Sequence, residues 1–181
     1  RKFAVAAPGV VTIMGSGVQA RAHAAALAAV RPIGELRLWS RTEETGRTAA
    51  AGIGATFVAD PEQAVRGADI VACTTSATEP VLSGDWLKPG AFVTSAGWNG
   101  ADGRELDDAA MRNTVIVEDT ATARDQAGNI RGSGCEIFAE AGEIYAGAKS
   151  VPAGTTVIYD SVGVAILDVA AAKLAYALLT A

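Results

Sequence analysis

Ten residues, Val11-Thr12-Ile13-Met14-Gly15-Ser16-Gly17-Val18-Gln19-Ala20, constrain this chain more than any other stretch. A β-branched, apolar run breaks on two glycines and passes at once into an alanine-rich segment, which reads as strand, tight turn and helix. The alternation continues downstream. Short apolar runs at 10–14, 36–39, 56–58, 70–74, 92–95, 115–117 and 156–159 read as strands, and 18–30, 43–51 and 62–66 as the helices between the early ones. Strands that alternate with helices at this pace pair in parallel through right-handed crossovers. The expected fold is α/β: a doubly wound, mostly parallel sheet inside three αβα layers, one domain over residues 1–181.

Composition narrows the class further. Half of the residues are hydrophobic, which excludes disorder. A net charge of −5 leaves no basic footprint for nucleic acid. No apolar run reaches the ~20 residues of a membrane span, so no membrane partner is expected. Cys73 and Cys135 are too few for a disulfide framework or a zinc site, so a reducing cytoplasm is the expected location and no metal is expected. Asp60-Pro61-Glu62 offers a capping acid, a proline at the first helical position and an acid in the first turn. Residues 124–150 carry five glycines and read as loop with one short helix. Residues 163–181 read as an amphipathic helix with Val164, Leu167, Ala171, Leu174 and Leu178 along one stripe.

The glycine turn gives the first chemical expectation. It follows the first strand and opens the first helix, which the Rossmann dinucleotide fingerprint requires. Gly15 permits the tight turn, and Gly17 leaves room for a pyrophosphate against the free N–H groups of the helix N-terminus, reached through Ser16, Val18 and Gln19. Ala20 takes the third position, where one methyl still allows close helix–strand packing. The second strand ends in Ser40-Arg41-Thr42, where NAD-binding domains usually carry an acid for the ribose hydroxyls. A guanidinium there suits a 2′-phosphate through paired hydrogen bonds. NADP(H) is thus the preferred cofactor, with NAD(H) still possible.

Other strand ends point at the same crevice. Thr74, Thr75, Ser76 and Ala77 follow the fourth strand, Ala96, Gly97 and Trp98 the fifth, and Ser161, Val162 and Gly163 the last. Small hydroxyl residues there either line a nucleotide or make local turns; Ser161 also suits a helix N-cap. His23, the one histidine, falls in the first helix and is expected to pack rather than to react. Asp168 interrupts an apolar helix and is expected to find a partner. Cys73 is expected in the core.

Six segments resemble the ornithine cyclodeaminase/μ-crystallin family: "GSGVQARAH" (15–23), "LWSRTEE" (38–44), "ADIVACTTSATEPVL" (68–82), "LKPGAFVTSAG" (87–97), "RELDD" (104–108) and "YDSVGVAILDVAAAKLAY" (159–176). They follow the family's order along nearly the whole chain and are weakest over 124–153. The resemblance implies a Rossmann domain whose partner, a substrate-binding and dimer-forming domain, lies mostly N-terminal and is absent from these residues. That domain carries the family's substrate-gripping arginine and lysine, and through it a homodimer is expected. The implied substrate is a small amino or imino acid.

The family's chemistries divide at two positions. Cyclodeaminases carry an aspartate six residues before the Glu of the Glu-Leu pair; here, counting from Glu105, that position is Asn99. An amide cannot take up a proton at neutral pH, so Asn99 cannot be that base. Asp102 is the second choice. Together with Ser40-Arg41-Thr42, which resembles the NADPH-using members, Asn99 points to reduction of a cyclic imine (ketimine) carboxylate. The alternatives are an NAD-dependent ornithine cyclodeaminase or alanine dehydrogenase, and an NADPH-dependent small-ligand-binding protein with little turnover.

Overall fold

The computed structural model describes residues 3–97, 100 and 102–180. At its centre β1 (Val10–Met14) enters the core on its second residue, and Val11, Ile13 and Met14 are fully buried. The chain continues through α1 (Val18–Val30), β2 (Glu35–Trp39), α2 (Glu43–Ile53), β3 (Thr56–Phe57), α3 (Pro61–Val65) and β4 (Ile70–Cys73). After a 3₁₀ turn at Gly84–Trp86 come β5 (Phe92–Ser95), α4 (Asp108–Met111), β6 (Thr114–Val117), α5 (Thr120–Gln126), α6 (Gly128–Ser133), β7 (Ala139–Glu140) and α7 (Ala141–Ala146). The last elements are β8 (Val157–Asp160) and α8 (Ala165–Thr180).

The eight strands among the described residues pair in parallel, in the order β3-β2-β1-β4-β5-β8-β6-β7. The direction of winding reverses between β1 and β4, the switch point where open α/β sheets open a crevice. One face packs Val11, Ile13, Ile70 and Ala72 against Ala20 and Ala24 of α1, while Leu38 meets Ala49 and Ala50 of α2. The other face packs Met14, Val71, Val93, Val115 and Ile158 against residues of α3, α4, α5 and α6. Strands covered on both sides are apolar at every position, as β4 is. The fold expected from the sequence is the fold observed.

Two expectations need correction. Residues 124–150 are more regular than loop with one helix: they hold the end of α5, then α6, β7 and α7. Capping explains this despite the glycines. The Asp119 carboxylate accepts from the Thr122 N–H at 2.7 Å, Glu140 and Glu143 form a reciprocal capping box, and Gly134 and Gly147 end α6 and α7 in the left-handed region. The second correction concerns α8. No residue of it is buried in this chain, and the apolar residues do not form one stripe, since Ile166, Leu167, Val169, Leu174, Tyr176, Leu178 and Leu179 all stand exposed. Val164 lies before the helix, and Asp168 has no hydrogen-bond or ion-pair partner among the described residues. No helix among the described residues is long and apolar enough to cross a membrane.

Candidate functional site

Register decides where the site lies. Trp39 pairs with Met14, Met14 with Cys73, Cys73 with Ser95, and Ser95 with Asp160, so five strands stop at one level. The residues that follow, Ser40, Gly15, Thr74, Ala96 and Ser161, therefore leave the sheet in a single row. A crevice of about 540 Å³ opens above that row, within the range of small-ligand pockets. Gly15, Ser16, Gly17, Val18, Gln19, Ser40, Arg41, Thr42, Thr74, Thr75, Ser76, Ala77, Ala96 and Gly97 line it. Trp39, Thr45 and Val81 complete the wall. A larger hollow of about 790 Å³ lies beside Thr114 and Thr156, at the opposite strand ends, and none of these loops reaches it. Ligands of doubly wound sheets bind outside the carboxyl ends of the strands, which favours the smaller crevice.

The glycine turn leaves the N-terminus of α1 open to the crevice. Gly15 has φ +123° and donates its N–H to Trp39 O at 2.8 Å; a Cβ there would sit 2.8 Å from Thr74 O. Gly17 caps α1 without any side-chain hydrogen bond, and a Cβ on it would meet nothing within 4 Å. The first N–H groups of a thirteen-residue helix thus face open space with no internal partner, the arrangement that binds a pyrophosphate. Ala20 is fully buried and packs the helix onto the sheet rather than lining the crevice.

The end of β2 gathers polar groups at one corner of the crevice. Ser16 Oγ lies 3.0 Å from Ser40 Oγ and donates to Thr45 Oγ1 at 3.3 Å, which ties the glycine turn to the start of α2. Thr42 caps α2 without a side-chain bond. Arg41 forms no ion pair among the described residues, while the neighbouring Glu43 is paired with Arg47. A free guanidinium, three hydroxyls and an uncapped helix end are thereby gathered in one corner, a donor set that fits a 2′-phosphate.

Behind the crevice stands a polar cluster that motif reading missed. Glu105 is only 3% exposed. Its Oε1 accepts from the Thr75 N–H (2.6 Å) and Thr75 Oγ1 (2.7 Å), and its Oε2 from Ser95 Oγ (2.8 Å) and the Gly97 N–H (2.9 Å). Asn129 on α6 accepts the Glu105 and Leu106 N–H groups at its Oδ1, and donates through Nδ2 to Ser95 Oγ and Asp160 Oδ1, both at 3.0 Å. Burial, with Glu105 and Glu118 nearby, pushes the Asp160 carboxyl up to about 6. Ser161 donates to Glu118 and does not cap α8, which begins four residues later. Ser161 and Val162 line a small recess beside the crevice, whereas Gly163, with φ +74°, lines neither.

The remaining expectations sort plainly. Asn99 and Trp98 lie outside the described residues. Asp102 is not brought to the crevice: its side chain is 94% exposed and lies 3.4 Å from Arg131. His23 is spent locally, its Nδ1 lying 2.9 Å from Gln19 O one turn back, and Cys73 is fully buried in the core. No three His, Cys, Asp or Glu side chains among the described residues are grouped to hold a metal ion.

Comparison with known proteins bears on what this crevice serves. The chain is 39% identical over 170 residues to the ketimine reductase mu-crystallin of Mus musculus, covering 92% of this chain and 54% of that protein. It is 36% identical over 181 residues to the Delta(1)-pyrroline-2-carboxylate reductase of Bacillus cereus, covering 91% and 55%. In three dimensions it matches the Delta(1)-pyrroline-2-carboxylate reductase of Thermococcus litoralis, solved with NADH and L-proline, with a TM-score of 0.88 at 30% identity over 97% of this chain and 59% of that one. The chain spans little more than half the length of these relatives. The profile of the Ornithine cyclodeaminase/mu-crystallin family matches residues 2–181, and the chain belongs to that family.

Proposed function

We propose that this chain is the NADP(H)-binding part of a reductase that adds hydride to a cyclic imine (ketimine) carboxylate. One observation carries the cofactor half of the reading: the unpaired Arg41 stands with Ser40, Thr42 and Thr45 at the wall of a crevice whose other side is the uncapped N-terminus of α1. The α1 end holds the pyrophosphate, and the Arg41 corner holds the 2′-phosphate that NADP adds to NAD. When bound, the nicotinamide supplies the hydride. The chain's own residues fix where it lies: Thr74, Thr75 and Ala77 from the end of β4, and Ala96 and Gly97 from the end of β5, form the floor of the crevice.

The imine half draws support from the three relatives described above, all reductases of imines by name, and from Asn99 at the position of the cyclodeaminases' aspartate. A neutral amide there is of no use for an elimination that needs a base, while hydride addition to an imine makes no such demand. The rest of the substrate pocket, with cationic groups for the carboxylate, belongs to a further domain, through which the protein pairs as a homodimer in the cytoplasm. The test is turnover of Δ1-pyrroline-2-carboxylate by the full-length protein with NADPH and with NADH. Oxidation of NADPH by the imine, faster than of NADH, is expected. Ammonia release from ornithine, with no imine reduction, would overturn the reading.

A further inference from the structure

The row of strand ends holds one group that neither phosphate binding nor sheet packing uses. Asp160 is the last residue of β8 and is 3% exposed. Its Oδ1 accepts one hydrogen bond, from Asn129 Nδ2 at 3.0 Å. Its Oδ2 is buried with no hydrogen-bond partner among the described residues. The Asn129 amide cannot be turned to help, because its Oδ1 is already held by two backbone N–H groups.

The contrast with Glu105, one hydrogen-bonded relay away through Asn129 and Ser95, is chemical. Glu105 is met by four donors, as an ionised carboxylate requires. Asp160 has Asn129 as its donor and beside it a Ser95 hydroxyl already given to Glu105, while its second oxygen has no partner among the described residues, a poor setting for a carboxylate. The ionisable groups that face it are Glu105 after β5, Glu118 at the end of β6, and the thiols of Cys73 on β4 and Cys135 after α6. No cation pairs with Asp160 among the described residues, and burial with the two glutamates pushes it up to about 6.

Its place in the crevice gives that proton a use. Asp160, Ser161, Gly97, Ala77 and Gly128 line a recess of about 10 Å³, room for about one water molecule. The recess shares Ala77 and Gly97 with the dinucleotide crevice. With the adenosine half on the β2 side, the nicotinamide half of a dinucleotide lies across the switch point, towards β4, β5 and β8.

We propose that Asp160 is the proton store of the site, a buried carboxyl at the nicotinamide end that, in its protonated form, passes its proton through one water in the recess to the nitrogen of an imine being reduced. The proposal rests on the imine-reductase reading above. The hydride makes the new C–H bond with its own electron pair, the C=N π pair moves onto nitrogen, and nitrogen takes the proton to form N–H. The imine is reduced, the nicotinamide dinucleotide is oxidised, and Asp160 is left as a carboxylate that takes its next proton from solvent.

The test compares the full-length protein with its Asp160→Asn variant, which keeps the shape but has no proton to give. Two readouts are taken: the pH profile of kcat/KM for Δ1-pyrroline-2-carboxylate with NADPH, and the carboxyl-carbon NMR titration of the protein without cofactor. In the wild type kcat/KM falls roughly tenfold per pH unit above the Asp160 midpoint, and one carboxyl titrates at about 6. In the variant that titration is missing, the alkaline limb is gone, kcat drops by roughly 100-fold, and NADPH affinity stays within about twofold. A variant with the wild-type rate and profile overturns this proposal alone, as does a wild type in which no carboxyl titrates above the ordinary range. A wild type that reduces no cyclic imine overturns the reading of the function and this proposal with it.

Discussion

Thr75 gives Glu105 two hydrogen bonds to a single oxygen, from its backbone N–H at 2.6 Å and its hydroxyl at 2.7 Å. The second oxygen is held by Ser95 and Gly97, so one buried carboxylate joins the ends of β4 and β5. Its own backbone is fixed as well, since Glu105 O accepts from the Val81 and Leu82 N–H groups. Glu105→Gln keeps the volume but turns two acceptor positions into donors that face donors. The expected cost is about 2–4 kcal/mol of stability, read as a fall in the urea midpoint, because groups that bonded a charge are left unsatisfied. NADPH binding weakens in the same variant, since Thr75 and Gly97 line the crevice.

Two glycines of the site separate packing from binding. A Cβ on Gly97 would lie 2.3 Å from both Glu105 Cδ and Thr75 O, so Gly97→Ala forces the clamp apart and destabilises the protein by about 1–3 kcal/mol. A Cβ on Gly17 meets nothing within 4 Å, and its φ of −81° suits alanine. Gly17→Ala therefore costs less than about 1 kcal/mol, as a poorer helix cap. It stands where the proposed function puts the pyrophosphate, so NADPH affinity is expected to fall roughly tenfold or more, about 1.4 kcal/mol. Thermal melting and fluorescence titration on the two variants distinguish the cases; equal losses of stability would refute the assignment of Gly17.

These residues also mark how far sequence reading reaches. The places of Gly15, Gly17, Ala20 and Arg41 were legible because each sits within a local unit, a turn or a strand end whose position the alternation of elements already fixes. Glu105, Asn129 and Asp160 were not, although Glu105 lies inside a recognisable motif. Their meeting depends on β8 inserting between β5 and β6, which brings together residues 24 to 31 positions apart. The helices within 124–150 were hidden by their glycines, although Asp119 and the Glu140–Glu143 pair carried the capping signal. α8 has the length of a helix but buries no residue against the rest of the described residues, so its apolar pattern had no face against which to be read.

In the proposed function Arg41 is the residue that separates the two nicotinamide cofactors. No acid neutralises it among the described residues, and it shares its corner with Ser40, Thr42 and Thr45. Arg41→Ala removes charge-assisted hydrogen bonds to a 2′-phosphate and leaves the rest of the crevice intact. NADPH affinity is expected to fall about 10–100-fold while NADH affinity changes little. Loss of both in equal measure would show that Arg41 serves the fold or the shared part of the dinucleotide.

Stability against pH should carry the mark of Asp160, with a sign opposite to that of the other structural acids. Burial alone would raise Asp69 and Asp107. Lys88 with the Val10 and Gly9 N–H groups holds the first below its ordinary value, and Ser83 with the Ala110 and Gly84 N–H groups the second. Both support the fold above the ordinary aspartate range and lose that support as the pH falls through their lowered values. Asp160 is raised from 3.8 to about 6. Its contribution is therefore fully present below 3.8 and is lost as the pH rises through about 6, because the unfolded chain ionises it freely while the buried site does not. Asp160→Asn removes that ionisation. Relative to the variant, the wild type should lose about 2 kcal/mol of stability between pH 4 and pH 8, measured from urea midpoints at the two values. Parallel stability curves for the two proteins would mean that Asp160 ionises at its ordinary value, and that water or a partner group satisfies its second oxygen.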